Sequence, residues 1–425
     1  MGKKLQLRNL ALFSLVALFL VGVISTYAVA QVKMRLWEWS RTEHPEQMQA
    51  IYGEFERRYN VKLEISSPNV YELVKKLLIA AEAVEVPDLM ELFASHDLPQ
   101  LAALGALECL NPYLDKEGLW DKYDPRFLPT YRGKIYSLPL GGSMMGLLYN
   151  KDMFQKAGIA RPPRTWEQLV LIGQKLTNLE KGIYGLALNG ADEESLIVAA
   201  SFIVPNGSHV GKFNKKIWIN TPESIEAVQF IFDLNNKYKI TPFYPETTFK
   251  IAREMFRKQK AAMLIDASWV IPHFVDAPFE WAITTLPERK CFGTPSAFDD
   301  TMYAMSSRTP HKNLAWEFLK YMTANEEVVS NMAGFEFKFP GLKTVWERKE
   351  FKESPYLHYG FEYLESGVTV PLYAELPCQR VKAIDIFKSE MHAGILGMKT
   401  AKQAMDTVAK KWSELFERWK EKYPE

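Results

Sequence analysis

The sequence predicts an α/β protein of two domains, and three observations carry that prediction. The chain has 425 residues, 47% of them hydrophobic and 13% aromatic, enough for about two ordinary domains, each with its own core. Its apolar residues alternate between a period of two and a period near 3.6, the pattern of strands interleaved with helices. This alternation restarts after Asn150. Strands separated by helices imply parallel sheets, because a parallel pair needs a long crossover.

The elements follow in order. Lys3, Lys4 and Arg8 precede an apolar run from Leu10 to Ile24 that closes on Ala28-Val29-Ala30, small residues at the −3 and −1 positions of a signal-peptidase site. Residues 1–30 therefore read as a signal peptide cleaved after Ala30, and the mature chain as exported to the periplasm or the cell exterior. The same run would also serve as a membrane anchor, but the small-residue pattern favours removal. No cysteine follows the cleavage point, so a lipid anchor is not indicated.

Met34 to Trp39 reads as a strand, Met48, Tyr52, Phe55 and Tyr59 recur at helical spacing, and Val61, Leu63 and Ile65 alternate again: a βαβ unit. A helix from about Tyr71 to Ala83, a strand from Leu89 to Phe93 and a short helix from Leu98 to Leu104, stopped by Gly105, continue it. Thr165 with Gln168 forms a capping box ahead of Trp166, Leu169, Val170, Gly173 and Leu176 on one helix face. Thr221-Pro222 opens another helix, with Ile225, Val228 and Phe232 as its buried stripe. Val408, Trp412, Leu415 and Trp419 mark a last amphipathic helix, read as docking on a domain rather than lying on a membrane. Trp166, Trp316 and Trp412 fall on helix stripes and read as packing.

Composition and motifs exclude several functions. The 52 basic and 51 acidic residues nearly cancel without long like-charge blocks, so no nucleic-acid or anionic-membrane surface is expected. Cys109, Cys291 and Cys378 are too few for a disulfide scaffold; one bridge or three buried thiols are both compatible with the spacing. There is no G-x-S-x-G elbow, Walker loop, G-x-G-x-x-G, H-E-x-x-H or C-x-x-C, and the seven histidines are scattered singly. No metal or cofactor is expected. Gly141-Gly142-Ser143 resembles a phosphate-cradling turn only weakly. The paired acids Glu193-Glu194 and Asp299-Asp300 leave a carbohydrate hydrolase as the weaker reading.

The segment "YRGKIYSLPLGGSMMGLLYNKDMFQKAGIARPPRTWEQL" carries Gly133-Lys134-Ile135-Tyr136-x-x-Pro139, Tyr149-Asn150-Lys151, Ala157-Gly158, Pro162-Pro163 and Thr165-Trp166. Pro87-Asp88 followed by Gly105-Ala106-Leu107, "FRKQKAAMLIDASW" ending at Trp269, Leu286-Pro287 and "LAWEFLKYMTANEE" complete a recurring order. This series resembles the extracellular solute-binding proteins of ABC importers. The resemblance implies the two-lobed, type II, maltose-binding-protein-like periplasmic-binding fold, with the ligand cleft between the lobes. It implies one lobe of residues 31–144 plus 299–353 and a second of 145–298 plus 354–425. It also implies capture of a sugar or oligosaccharide without chemistry, a membrane permease as partner, and a monomer. Two other readings stay open: a periplasmic enzyme acting on carbohydrate, and a sensory module that presents its ligand to a receptor.

The candidate ligand-binding residues are aromatic and polar. Trp37 and Trp39 would stand at the carboxyl end of the first strand, where open α/β sheets bind ligands, and alternation would send both to one side. An indole suits a sugar ring, whose C–H face is flat and apolar while its hydroxyls need polar partners at the edge. The resemblance assigns Trp269 to the ligand floor, Asp97 to hydroxyl binding with His96 beside it, and Ser143 to the crossing strand. Ser40 and Glu194 join the set. Asp299 and Asp300 depart from the family pattern; facing the cleft they would accept several hydroxyls, or hold an amine or other cation instead.

Overall fold

The computed structural model describes residues 31–93, 97–213, 216–289, 298–365 and 380–423. The signal segment, His96, Cys291 and Cys378 lie outside the described residues, and so do the side chains of Asp299 and Asp300.

Strand β1 (Val32–Trp37) buries Met34 and Leu36, and its alternation matches the expected period. It stops two residues short of the predicted end: Trp39 belongs to a turn leading into α1 (Ser40–Glu43), a single helical turn. Helix α2 (Pro45–Tyr59) starts on a proline, where no N–H is needed, and stops at Asn60, whose left-handed φ of 50° asparagine tolerates. Its buried stripe is Met48, Ile51, Tyr52 and Phe55. There follow β2 (Val61–Ser66), α3 (Val70–Glu82), β3 (Leu89–Phe93), α4 (Asp97–Ala103) and the long β4 (Leu138–Asn150).

The second half supplies α5 (Trp166–Leu176), β5 (Tyr184–Ala187), α6 (Ser195–Ile203), α7 (Pro222–Asn236), α8 (Phe249–Arg257), β6 (Ala261–Ala267) and β7 (Trp281–Thr284). β8 (Phe298–Met305), α9 (Lys312–Thr323), α10 (Glu326–Glu336) and β9 (Phe339–Pro340) return to the first half, and α11 (His358–Glu365), α12 (Arg380–Ile395) and α13 (Ala401–Lys422) end the described chain. The predicted capping box of α5 is half formed. Thr165 accepts from Gln168 N, but the Gln168 side chain reaches Arg164 N instead of Thr165 N. Trp166, Trp316 and Trp412 are all buried as packing residues.

The strands join in one sheet of order β2-β1-β3-β8-β4-β6-β5, with β7 and β9 also on β4. β2, β1 and β3 are mutually parallel and β5 is parallel to β6, as predicted; β8 and β4 run against their neighbours. The sheet is therefore mixed: β4 keeps the direction of β1–β3, and the returning β8 is inserted between β3 and β4 in the opposite one. β4 makes the junction. Its first part pairs with β8 and β9 up to Met144, and its second part, from Met145, pairs with β6 and β7. Gly141-Gly142-Ser143 thus lies inside this strand and forms no turn, which removes the phosphate-cradle reading. Pro139, which has no N–H to give a ladder, stands where the register with β8 shifts between Thr301 and Met302.

Two large apolar cores pack on the sheet, and the first draws residues from both sides of the junction, Phe256 and Trp281 among them. One gathers Leu36, Phe55, Leu63, Leu140, Tyr303 and Phe318; the other gathers Leu147, Leu169, Leu186, Val228, Phe387, Val408 and Trp412. α13 docks on the second core, but its last turn reaches the first lobe. Lys422 Nζ lies 3.1 Å from Glu82 Oε1 at the end of α3, and Arg132 donates to the Tyr423 carbonyl at 3.2 Å. Among the described residues no helix is long and apolar enough to cross a membrane.

The closest approach along the junction is at Gly141, where an added Cβ would stand 2.5 Å from the Phe339 carbonyl oxygen. Backbone cannot swing aside, so Gly141→Ala should cost about 1–3 kcal/mol of unfolding free energy. Gly334→Ala in α10, with nothing within 4 Å of the new methyl, should be neutral or stabilising by up to about 1 kcal/mol. Urea unfolding of the two variants measures the difference.

Candidate functional site

The carboxyl ends of β1 and β3 are tied together by one buried acid. Glu91, in the otherwise apolar β3, accepts from Trp39 N at 2.8 Å, Ser40 N at 3.2 Å and Ser40 Oγ at 2.6 Å. It is fully buried, and burial followed by the nearby charges of Glu38 and Glu336 holds its carboxyl well above the usual range. Glu38 is also fully buried and is raised by burial, although its Oε2 accepts from Arg41 N at 2.8 Å. The cation of this cluster is Lys338, ion-paired with Glu336 and donating to Thr301 Oγ1 of β8. Burial works to lower the Lys338 ammonium, but the carboxylates of Glu336, Glu91 and Glu43 hold it above its ordinary value.

The predicted site residues fall around this cluster and across from it. Trp37 is half-buried with Lys76 Nζ 4.0 Å above its ring, and Trp39, 4% exposed, stacks on Phe93 at 4.6 Å. Ser40 is buried with its hydroxyl given to Glu91. Asp97, at the start of α4, is buried and accepts from Phe93 N at 3.1 Å. Ser143 is buried on β4 opposite Asp299, and its hydroxyl has no hydrogen-bond partner among the described residues. Asp299 and Asp300 lie on β8 itself rather than ahead of it.

On the second lobe β6 runs into a short 3-10 turn, Ser268–His273, that carries Trp269. Trp269 is half-buried, and the turn that carries it lies against β4 and against α10 of the first lobe. Beside it Arg253 of α8 is gripped from two sides. Its Nε and Nη2 donate to Asp266 at 2.7 and 3.1 Å, and Nη2 also donates to Glu194 at 2.9 Å. Its guanidinium lies 4.6 Å from the Phe249 ring centre. Glu194 is presented by a loop folded around Asp192, which accepts from Asn189 Nδ2, Glu194 N and Phe249 N.

Glu43 and His44 of the first lobe feel the charges of this group. Glu43 is open to solvent, yet the walls around it are high enough that burial raises its carboxyl, opposed by the charges of Lys338 and Arg253. Burial lowers His44, and the charges it feels include Glu336, Lys338 and His273. His273 is lowered by burial and by Arg253. Glu43 and His44 on one lobe and Arg253 and His273 on the other are near enough for their charges to act on one another.

Glu43, His44, Glu91, Arg253, Asp266 and His273 were absent from the residues predicted. For two of them the sequence holds a signal, a lone acid inside an apolar run: Glu91 in "LMELF" and Asp266 in "AAMLIDA". Among the described residues no group of three or more His, Cys, Asp or Glu side chains is placed to hold a metal ion. The cleft offers carboxylate acceptors, a guanidinium and an indole, a set suited to binding a polar molecule.

The family model described as bacterial extracellular solute-binding protein matches residues 38–329. The chain is 25% identical over 298 residues to the maltotriose-binding protein of Pyrococcus abyssi, a match spanning 68% of this chain and 62% of that protein's length. It is 25% identical over 418 residues to the sn-glycerol-3-phosphate-binding periplasmic protein of Brucella melitensis, covering 91% of this chain and 94% of that one. The solved structure of an ABC transporter solute-binding protein from Thermotoga lettingae, bound with α-D-tagatose, superposes with a TM-score of 0.80 at 23% identity, over 90% of this chain and 99% of that one.

A carboxyl raised in the folded state binds its proton more tightly there than in the unfolded chain. The stability it confers is complete below the usual carboxylate range and is lost as pH rises through the raised value. Glu91→Gln keeps an acceptor for the Trp39 and Ser40 amides but cannot ionise. Between about pH 5 and pH 8 it should therefore lose less stability than the natural protein, as chemical denaturation at the two pH values will measure.

Proposed function

Because the chain belongs to the bacterial extracellular solute-binding protein family, we propose that it captures a sugar or oligosaccharide in the cleft between its lobes and delivers it to the permease of an ABC transporter. The observation that carries this reading is Trp269, half-buried on a turn that lies against β4 and α10. An indole there can stack on the C–H face of a sugar ring while carboxylates on both walls accept its hydroxyls. The relatives that bind maltotriose and tagatose support the assignment to sugars. Asp97, Ser143, Trp37, Trp39, Ser40, Glu194, Asp299 and Asp300 remain candidates for contacts in the same cleft.

Capture needs no bond to break. A solute that touches both walls stabilises the closed arrangement over the open one by the difference in its contacts, and the strands between lobes absorb the backbone change. We take the lobes as 31–144 plus 299–353 and 145–298 plus 354–425. Members of this family are binding proteins, and we assign the chain capture rather than catalysis. Export with cleavage after Ala30, and action as a monomer, belong to the same proposal.

Maltotriose, tagatose and a panel of other saccharides tested against the chain from Gln31 onward decide the matter. At 100 times its dissociation constant a ligand adds about 2.7 kcal/mol of stability, visible as a raised Tm. Small-angle scattering should show compaction with any sugar that binds, and unchanged dimensions would overturn hinge closure. Trp269→Ala should weaken binding by about 2 kcal/mol, roughly 30-fold in Kd; an unchanged Kd by calorimetry would remove the indole from the site.

A further inference from the structure

The relatives divide on one chemical point, whether the solute carries a phosphate. One is named for a neutral saccharide and another for a phosphate ester. A phosphate-binding cleft needs donors and positive charge left over for the ligand. The cation on the second-lobe side is Arg253, and it is committed: three of its N–H donors go to Asp266 and Glu194, and its guanidinium lies 4.6 Å from the Phe249 ring centre. Two carboxylates hold the guanidinium, and the charge of Glu43 on the first lobe acts on it from a distance. Lys338 is ion-paired with Glu336 and bonded to Thr301.

We infer that Glu43, Glu194 and Asp266 act as the selectivity determinants of this cleft, cancelling Arg253 so that it admits uncharged polyhydroxyl solutes and excludes phosphorylated ones. The inference rests on the capture reading and adds the class of solute. A phosphate entering the cleft would meet like charge from both walls, at the low dielectric of a closing site where such repulsion is least screened. A sugar hydroxyl meets the same carboxylates as acceptors. The histidines do not reverse the balance near neutral pH. Burial holds both His44 and His273 below the ordinary imidazole value, and Arg253 further opposes a charge on His273.

The test uses sn-glycerol 3-phosphate as the anion and glycerol as its uncharged counterpart, read by thermal shift and calorimetry on the mature chain. The natural protein should show no binding of the phosphate ester up to about 10 mM, weaker than any solute a capture protein retains. Glu194→Gln removes one negative charge from beside the guanidinium and weakens its hold on that group; Glu43→Gln removes another from an exposed position where folding is not at stake. The double variant should bind the phosphate ester at least about tenfold more tightly than the natural protein. Micromolar binding by the natural protein would overturn the inference. So would a double variant that folds and still ignores the phosphate, because exclusion would then not come from these carboxylates. The sugar panel keeps the two readings apart: silence there sinks the assignment to sugars, whereas phosphate binding by the natural protein sinks only this inference.

Discussion

Every other feature of the molecule depends on β4 serving two sets of strands within one sheet. Its ladder changes partners between Met144 and Met145, from β8 and β9 to β6 and β7, without a break in the strand. A buried backbone must keep its hydrogen bonds, so the lobes can reorient there by twisting the strand but not by melting it. Tyr359 of α11 reinforces the point of exchange, donating its hydroxyl to the Met144 carbonyl at 2.5 Å. The glycines beside the exchange let β7 and β9 approach closely: Cβ atoms at Gly141 or Gly146 would collide with Phe339 or Ile283.

Around this seam the molecule places its charges in two layers. The deeper layer, Glu38, Glu91, Glu336 and Lys338, holds more carboxylates than cations and is almost sealed from water. Its task is to fix backbone: Glu91 receives the amides of the turn that follows β1. The outer layer, Glu43, Glu194, Arg253 and Asp266, borders the cleft. Both layers contain acids that interrupt apolar strands. Burying such groups is costly unless their hydrogen bonds are made, and in each case amides or a guanidinium make them.

The local elements were readable because each follows from neighbours in the chain. Met34 and Leu36, the stripe from Met48 to Phe55, and Val61 with Leu63 show their faces by period alone. The end of β1 was misplaced because Trp39 continues the alternation, yet its amide is claimed by Glu91, fifty-two positions away. The site was less readable for the same reason. Arg253 meets Asp266 and Glu194 at sequence separations of 13 and 59, and no periodicity encodes such a meeting. Trp269 was proposed through resemblance, since composition does not distinguish an indole on a cleft from one in a core such as Trp166.

The contact between the end of α13 and the first lobe brings ionic strength into the working of the cleft. Lys422 and Glu82 pair across the lobes with side chains 61% and 60% exposed, and Arg132 holds the Tyr423 carbonyl nearby. A rotation that parts these points must break both contacts. Dissolved salt weakens an exposed pair of this kind while leaving apolar packing largely intact. On the capture reading, the balance between lobe arrangements would therefore shift with the salt content of the surroundings even when the captured molecule has no charge of its own.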